Sequence, residues 1–213
     1  YQILHVKEVP PLPRHLELGL TDDDCLRMYR LMLTARAVDE RASILVRQGK
    51  VNFTVGGQGQ DAAQVGAAYA LSPGKDWVLP YYRDTGVVLT LRLTPEQLFL
   101  GELGKATDPN SGGRQMPKHW SCPPLRIVTA SSPVATQLPH AVGCALAAKL
   151  QGEDAIAWVS FGDGAVSKGD FHEALNYAAI HRLPVVFFCE NNYYAISVPF
   201  KQQSPVDSVA TRA

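Results

Sequence analysis

Gly162-Asp163-Gly164 and the pair Asn191-Asn192 each follow an apolar run, and residues 165–190 separate them. An Asp carboxylate and an Asn amide carbonyl are hard oxygen ligands, suited to Mg²⁺ rather than to a thiolate-preferring metal. Mg²⁺ keeps octahedral geometry and commonly completes its shell with phosphate oxygens and water. Gly162 and Gly164 allow a backbone to approach a diphosphate with no side chain in the way. Alone, each motif reads as a turn; at this spacing, each after a strand, the pair reads as one site.

The elements around the pair must bring it together. "AIAWVSF" and "PVVFFCE" lack hydrophobic alternation, as expected of central strands of a parallel sheet covered on both faces. Between them a helix is expected from about Asp170 to His181, with Asp170 as N-cap and Phe171, Ala174, Leu175, Ala178 and Leu183 on one side. Strand, helix and strand make a βαβ unit with a right-handed crossover. Both strands then point the same way, so Asp163 and Asn192 emerge together at the carboxyl edge, where open α/β sheets bind ligands. A dinucleotide fingerprint is excluded because the third glycine of "GDGAVSKG" comes too late, and no phosphate-binding P-loop pattern is present.

Upstream, the proline-rich opening reads as an extended arm over residues 1–20, followed by one α/β domain over 21–213. Thr21 and Asp24 have capping-box spacing before a long amphipathic helix to about Gln48. A second helix is expected in "GQDAAQVGAAYAL", a short strand in "WVLPYY", and a third helix in "TPEQLFLGELG" with Thr94 as N-cap and Pro95 in its first turn. "GKATDPNSGGRQMPKHWSCPP" is the longest loop, and long loops in compact domains are often functional. "LRIVTA" reads as a strand, "SSPVATQ" as a turn, and "LPHAVGCALAAKLQG" as a small-residue helix able to pack closely on a sheet. The alternation defines an α/β fold with a mostly parallel sheet flanked by helices.

The formal net charge is +0, so any phosphate must be held by a local site rather than a global field, and neither nucleic acid nor an anionic membrane is an expected partner. Cys25, Cys122, Cys144 and Cys189 lie far apart with no metal-ligand spacing, which points to a reducing, cytoplasm-like compartment. No run has the length of a membrane span, and the start is neither a signal peptide nor a Met, so a processed or trimmed N-terminus is expected.

The Gly-Asp-Gly and Asn-Asn motifs resemble the thiamin diphosphate motif of thiamin-dependent enzymes. "YYRDTG", "GGRQMPKH", "SSPVATQLPHAVG" and "CENNYYAIS" together resemble the α subunit of the E1 component of branched-chain 2-oxo acid dehydrogenases, from about Leu20 to Val198. Pyruvate dehydrogenase α subunits usually carry a glycine-rich loop where this chain has Gly113-Arg114-Gln115-Met116-Pro117. The resemblance implies oxidative decarboxylation of a branched-chain 2-oxo acid and transfer of the acyl group to the lipoyl arm of an E2 acyltransferase. It also implies an α₂β₂ assembly in which the β subunit supplies the glutamate that acts on the cofactor. Alternatives are a pyruvate or acetoin E1 α subunit, or a non-catalytic truncated form.

By the same resemblance Asp163, Asn192 and the Tyr194 carbonyl ligate Mg²⁺, while Tyr82 and Arg83 meet the cofactor's phosphates, a task that suits the planar guanidinium. Gly162, Gly164 and Ala165 belong to the cofactor-binding segment. Ser132 and Val134 meet the aminopyrimidine, and Ser131, Thr136 and Gln137 hold K⁺. Alone, "YRD" would be a surface ion pair and "SSPVATQ" a helix-capping turn. Glu190 departs from branched-chain relatives with an Arg there, so Arg83 must carry more charge or another cation must come from elsewhere. Glycine is common where this chain has Tyr193.

No catalytic residue is assigned. His119 is a candidate for lining the substrate entrance, although a solvated loop histidine is the plainer reading; Gln58 and Gln60 read as structural. The family's α chain continues with a histidine-bearing loop, so the chain is expected to be a fragment or a truncated form. A bacterial protein of this kind would be cytoplasmic and a eukaryotic one mitochondrial.

Overall fold

The structure, a computed structural model, describes residues 13–212. The expected extended arm falls largely outside them, and its described part is not extended: Arg14–Glu17 form a short helix, α1. Thr21 then caps α2, Asp22–Arg47, through the reciprocal bonds of a capping box with Asp24. After α2 come α3 at Asp61–Tyr69, β1 at Trp77–Leu79, α4 at Thr85–Thr90 and α5 at Pro95–Glu102. Thr94 caps α5 in a second capping box, with Gln97 as its partner. Beyond the long loop lie α6 at Gln137–Gln151, β2 at Ala157–Gly162, α7 at Gly169–Ile180 and β3 at Val185–Glu190. A short antiparallel ribbon, β4 (Tyr194–Ala195) with β5 (Val198–Pro199), and α8 at Phe200–Gln203 follow.

The main sheet is parallel, in the order β1-β2-β3, and Ala157 pairs with Trp77 on one side and Val185 on the other. Its strand side chains alternate between two cores. Ala157, Val159 and Phe161 of β2 face α6 and α7, packing with Leu138, Ala141, Ala145, Phe171, Ala174 and Ala178. Trp158 faces the opposite layer of α2, α3, α4 and α5, among Val38, Ala68, Val88 and Leu98. The small residues of α6 allow this helix to lie close on the sheet, and β2 is buried on both faces as its unbroken apolar run requires.

β3 departs from that expectation. Among the described residues it is the last strand in the order, and Val186 is 43% exposed. β1 stops at Leu79 because Pro80 has no N–H to continue the ladder. The expected strand at residues 125–130 is reduced to isolated bridges of Ile127 to Val78 and to Cys122. Pro123 and Pro124 begin a tight turn there that ends with Arg126 in the left-handed region (φ 53°), and the bend prevents a straight ladder. α7 starts one residue earlier than expected, with Lys168 in place of Asp170 at the N-cap and no side-chain cap bond.

Residues 85–90, to which the sequence reading assigns no element, form α4. Thr85, Val87 and Val88 are fully enclosed, and burial in the layer beneath β1 overrides their β-branched preference.

Candidate functional site

Four segments meet at the carboxyl edge of the sheet: the stretch after β1, the turn before α6, the turn after β2 and the turn after β3. They enclose a cavity of about 550 Å³. Every residue assigned to a cofactor or cation by sequence lines it: Tyr82 and Arg83 from the first segment, Ser131, Ser132, Val134, Thr136 and Gln137 from the second, residues 162–165 from the third, Asn192 and Tyr194 from the fourth. Lys168 and Asp170, to which sequence assigned no ligand role, line it as well.

Asp163 is 1% exposed, and its Oδ2 has no hydrogen-bond partner. Its Oδ1 accepts only a long bond of 3.4 Å from the Asn192 N–H. Burial pushes the Asp163 carboxyl above its ordinary pKa, against weaker opposing pulls from that N–H and from Arg83. A buried carboxylate oxygen left unpaired costs on the order of 1–3 kcal/mol, which a cation would offset. Gly164 explains the close fit beside it, since a Cβ there would lie 2.8 Å from the Ala195 Cβ.

Asn192 sits in an Asx turn, its Oδ1 accepting from the Tyr194 N–H at 2.9 Å, and Asn191 makes the same bond to the Tyr193 N–H at 2.8 Å. The turn places Tyr193 at φ 65°, a conformation that glycine adopts without penalty. The Asn192 oxygen keeps a second lone pair, and the Asn192 N–H lies 3.4 Å from Asp163 Oδ1. Among the described residues no three His, Cys, Asp or Glu side chains converge. A cation at Asp163 would therefore draw most of its shell from amide and carbonyl oxygens, phosphate and water, which is the ligand set of Mg²⁺.

On the opposite wall Gln137 donates through Nε2 to the Ser160 carbonyl at 3.0 Å, while its Oε1 is buried and unpartnered. Thr136 donates to the Pro133 carbonyl at 3.1 Å, and Ala135 between them is at φ 77° although buried. An unpaired amide oxygen in a strained turn matches a cation that would stiffen the turn.

Arg83 is held in place by groups that sequence reasoning passed over. Its Nη1 donates to the Gly56 carbonyl at 2.9 Å, its own carbonyl accepts from Gln64 at 3.0 Å, and its guanidinium lies 5.4 Å from the Tyr82 ring centre. A Cβ on Gly57 would stand 2.4 Å from that carbonyl, so a glycine is needed at 57 for this approach. Gln58 and Gln60 do not line the cavity, and Gln60 marks the start of α3 without a side-chain cap.

Glu190 is 2% exposed beneath the pocket and accepts from Gln64 at 2.8 Å. Asp84, also buried, accepts from the Ser160 hydroxyl and from the Tyr81 N–H at 2.8 Å. Burial, reinforced by the Glu190 carboxylate, holds the Asp84 carboxyl well above its ordinary pKa. One oxygen of each acid, Asp84 Oδ1 and Glu190 Oε1, has no hydrogen-bond partner.

A second buried network holds the long loop. Asp39 projects from α2 and accepts from the Lys118 ammonium, from Thr85 at 2.8 Å and from the Gly57 N–H at 2.7 Å. Lys118, in the left-handed region at φ 63°, also stands 4.0 Å from Glu102. His119 follows it and is not at an entrance. It lies outside the cavity lining, 8% exposed, with Nε2 hydrogen-bonded to the Ser132 hydroxyl at 2.6 Å. The signal for this network was Asp39, a carboxylate on the apolar face of α2 beside Val38 and Ala42.

Glu102 gives a pH-dependent consequence. Burial pushes its carboxyl from 4.5 up to about 7, against weaker opposing pulls from Lys118 and the Thr54 hydroxyl. A raised folded-state value means that the contribution is full below pH 4.5 and is lost as pH rises through about 7. Glu102→Gln is expected to remove a fall of about 3 kcal/mol in unfolding free energy across that window. Urea unfolding at pH 5 and pH 8 reads it; equal falls in both proteins would contradict the assignment.

The fold and this cavity define a class. The chain matches the dehydrogenase E1 component family over residues 29–213, and it belongs to that family. It is 56% identical over 200 residues to the 2-oxoisovalerate dehydrogenase subunit alpha of Bacillus subtilis (strain 168), covering 94% of this chain and 61% of that protein. It is 39% identical over 212 residues to the mitochondrial 2-oxoisovalerate dehydrogenase subunit alpha of Mus musculus, covering 99% of this chain and 46% of that protein. The chain thus spans about half to three fifths of the length of these relatives.

Proposed function

We propose that this chain is the α-subunit portion of a thiamin diphosphate-dependent E1 that oxidatively decarboxylates branched-chain 2-oxo acids. The acyl group would pass to the lipoyl arm of an E2 acyltransferase, and an E1 β subunit would complete an α₂β₂ assembly. Membership of the E1 family implies thiamin diphosphate, and relatives named 2-oxoisovalerate dehydrogenase subunit alpha support the branched-chain substrate. The observation that carries the reading is the convergence of four separate segments on one cavity around the unpaired Asp163 oxygen.

When bound, thiamin diphosphate supplies the electron sink for decarboxylation. The chain's own residues place it and balance its charge. Asp163, Asn192 and the Tyr194 carbonyl would hold Mg²⁺, and Arg83 with Tyr82 would meet the phosphates. Residues 162–165 would let backbone approach the diphosphate, since Gly162 and Gly164 carry no side chain. Ser132, fixed by His119, and Val134 would border the aminopyrimidine, while the Gln137 oxygen with Ser131 and Thr136 would hold K⁺ and stiffen that wall.

The test is 2-oxo-acid-dependent reduction of an artificial electron acceptor by the full-length protein co-expressed with its β chain, with Mg²⁺ and with or without thiamin diphosphate. Turnover of 2-oxoisovalerate well above pyruvate, lost without cofactor, is expected. Preference for pyruvate would move the protein to a pyruvate-type E1, and no turnover of any 2-oxo acid would overturn the reading.

A further inference from the structure

We propose that Lys168 is an anion-recognising residue of this cavity, its ammonium meeting a carboxylate or diphosphate oxygen of the molecule bound there. The inference deepens the functional reading above and rests on it for the identity of that molecule.

The charges lining the cavity are few: Asp163 and Asp170 are acidic, Arg83 and Lys168 basic. Arg83 is partly committed, donating to the Gly56 carbonyl and stacked beside Tyr82. Lys168 makes no ion pair among the described residues, with Asp170 or any other acid. It is the cavity's uncommitted cation. A 2-oxo acid and a diphosphate both present oxygens of negative charge, and two anions in one pocket need more than one cation.

The backbone that carries Lys168 is fixed. Its N–H donates to the Ala165 carbonyl at 3.0 Å, and its own carbonyl accepts from the Phe171 N–H at 3.3 Å. Phe171 is 1% exposed and packs against Phe161 with ring centres 5.7 Å apart. Residue 168 itself is extended (φ −96°, ψ 146°) and stands just before the first turn of α7, where its side chain lines the cavity. A flexible ammonium on a rigid shoulder can follow an anion without loosening the site. The positive end of the α7 dipole adds to the same field.

The experiment compares the wild type with Lys168→Gln and Lys168→Arg in the full-length chain co-expressed with its β chain. Three quantities are read: the KM and kcat for 2-oxoisovalerate, the affinity for thiamin diphosphate with Mg²⁺, and calorimetric binding of inorganic pyrophosphate. Loss of one charge-assisted bond predicts about a tenfold weakening in Lys168→Gln, largely restored in Lys168→Arg. A raised KM with unchanged kcat and unchanged cofactor affinity assigns the ammonium to the substrate carboxylate. Weakened cofactor binding assigns it to the diphosphate. Changes below twofold in every quantity overturn the proposal. If the wild type neither binds cofactor nor turns over substrate, the functional reading fails, and pyrophosphate binding still decides: weaker in Lys168→Gln supports the anion role, equal binding refutes it.

Discussion

Asp163→Ala is expected to abolish Mg²⁺-dependent binding of thiamin diphosphate while making the ligand-free protein more stable. The two effects have one cause. Asp163 is enclosed at 1% exposure with one oxygen unpaired and the other held by a single long bond, so without a cation it costs the fold more than it contributes. Removing it should raise the ligand-free unfolding free energy by about 1–2 kcal/mol. The cofactor's own stabilisation should vanish, where saturating ligand at a hundred times its Kd gives about 2.7 kcal/mol. Thermal melts with and without cofactor and Mg²⁺ read both quantities. A variant that melts lower when ligand-free, or still gains stability from the cofactor, would contradict the assignment.

Lys118→Met is expected to be the most destabilising single change at the buried network. Lys118 and Asp39 are both about 1% exposed as side chains, and the pair is closed by Thr85 and Gly57. Removing one partner of a buried ion pair leaves the other charged and unpaired, at about 3–5 kcal/mol. Two acids, Asp39 and Glu102, lose their cation together here. The double change Asp39→Asn with Lys118→Met removes both charges and should recover most of the loss. Urea unfolding of the single and double variants forms the cycle, and a strictly additive double variant would refute the coupling. Because His119 directly follows Lys118 and bonds Ser132, the single variant should also loosen the wall formed by residues 131–137.

Much of this was legible in the sequence, for reasons that are local. Thr21 and Thr94 announce their helices because a capping box is written in residues three apart, and both boxes form. Asp163 and Asn192 meet because a βαβ unit has only one handedness, so two sequence motifs fix a shared edge. The parallel register of β2 on β3 places Gly162 directly beside Glu190 and delivers both turns to the cavity.

The rest depended on contacts between residues distant in the chain. Nothing near Asp39 says that it receives Lys118, 79 positions on, and Gly57. Gln64 bonds both the Arg83 carbonyl and Glu190, the latter 126 positions on, so the device that holds Arg83 could not be found by spacing. "TGVVLT" favours a strand by composition, yet becomes α4 because it is enclosed from all sides. "LRIVTA" has strand composition too, but the two prolines before it and the left-handed Arg126 bend it, and only Ile127 makes bridges, to Val78 and Cys122. His119 was placed by its loop and not by its neighbours, and a single bond to Ser132 moves it from an entrance to a support.

The most direct test of the central claim is an anomalous difference map from a crystal of the protein grown with thiamin diphosphate and Mn²⁺ in place of Mg²⁺. The account predicts one metal peak at about 2.1 Å from Asp163 Oδ2, with Asn192 Oδ1 and the Tyr194 carbonyl in the same shell and diphosphate density facing Arg83. A peak elsewhere, or cofactor density in the cavity with the Asp163 oxygen still unliganded, would contradict it.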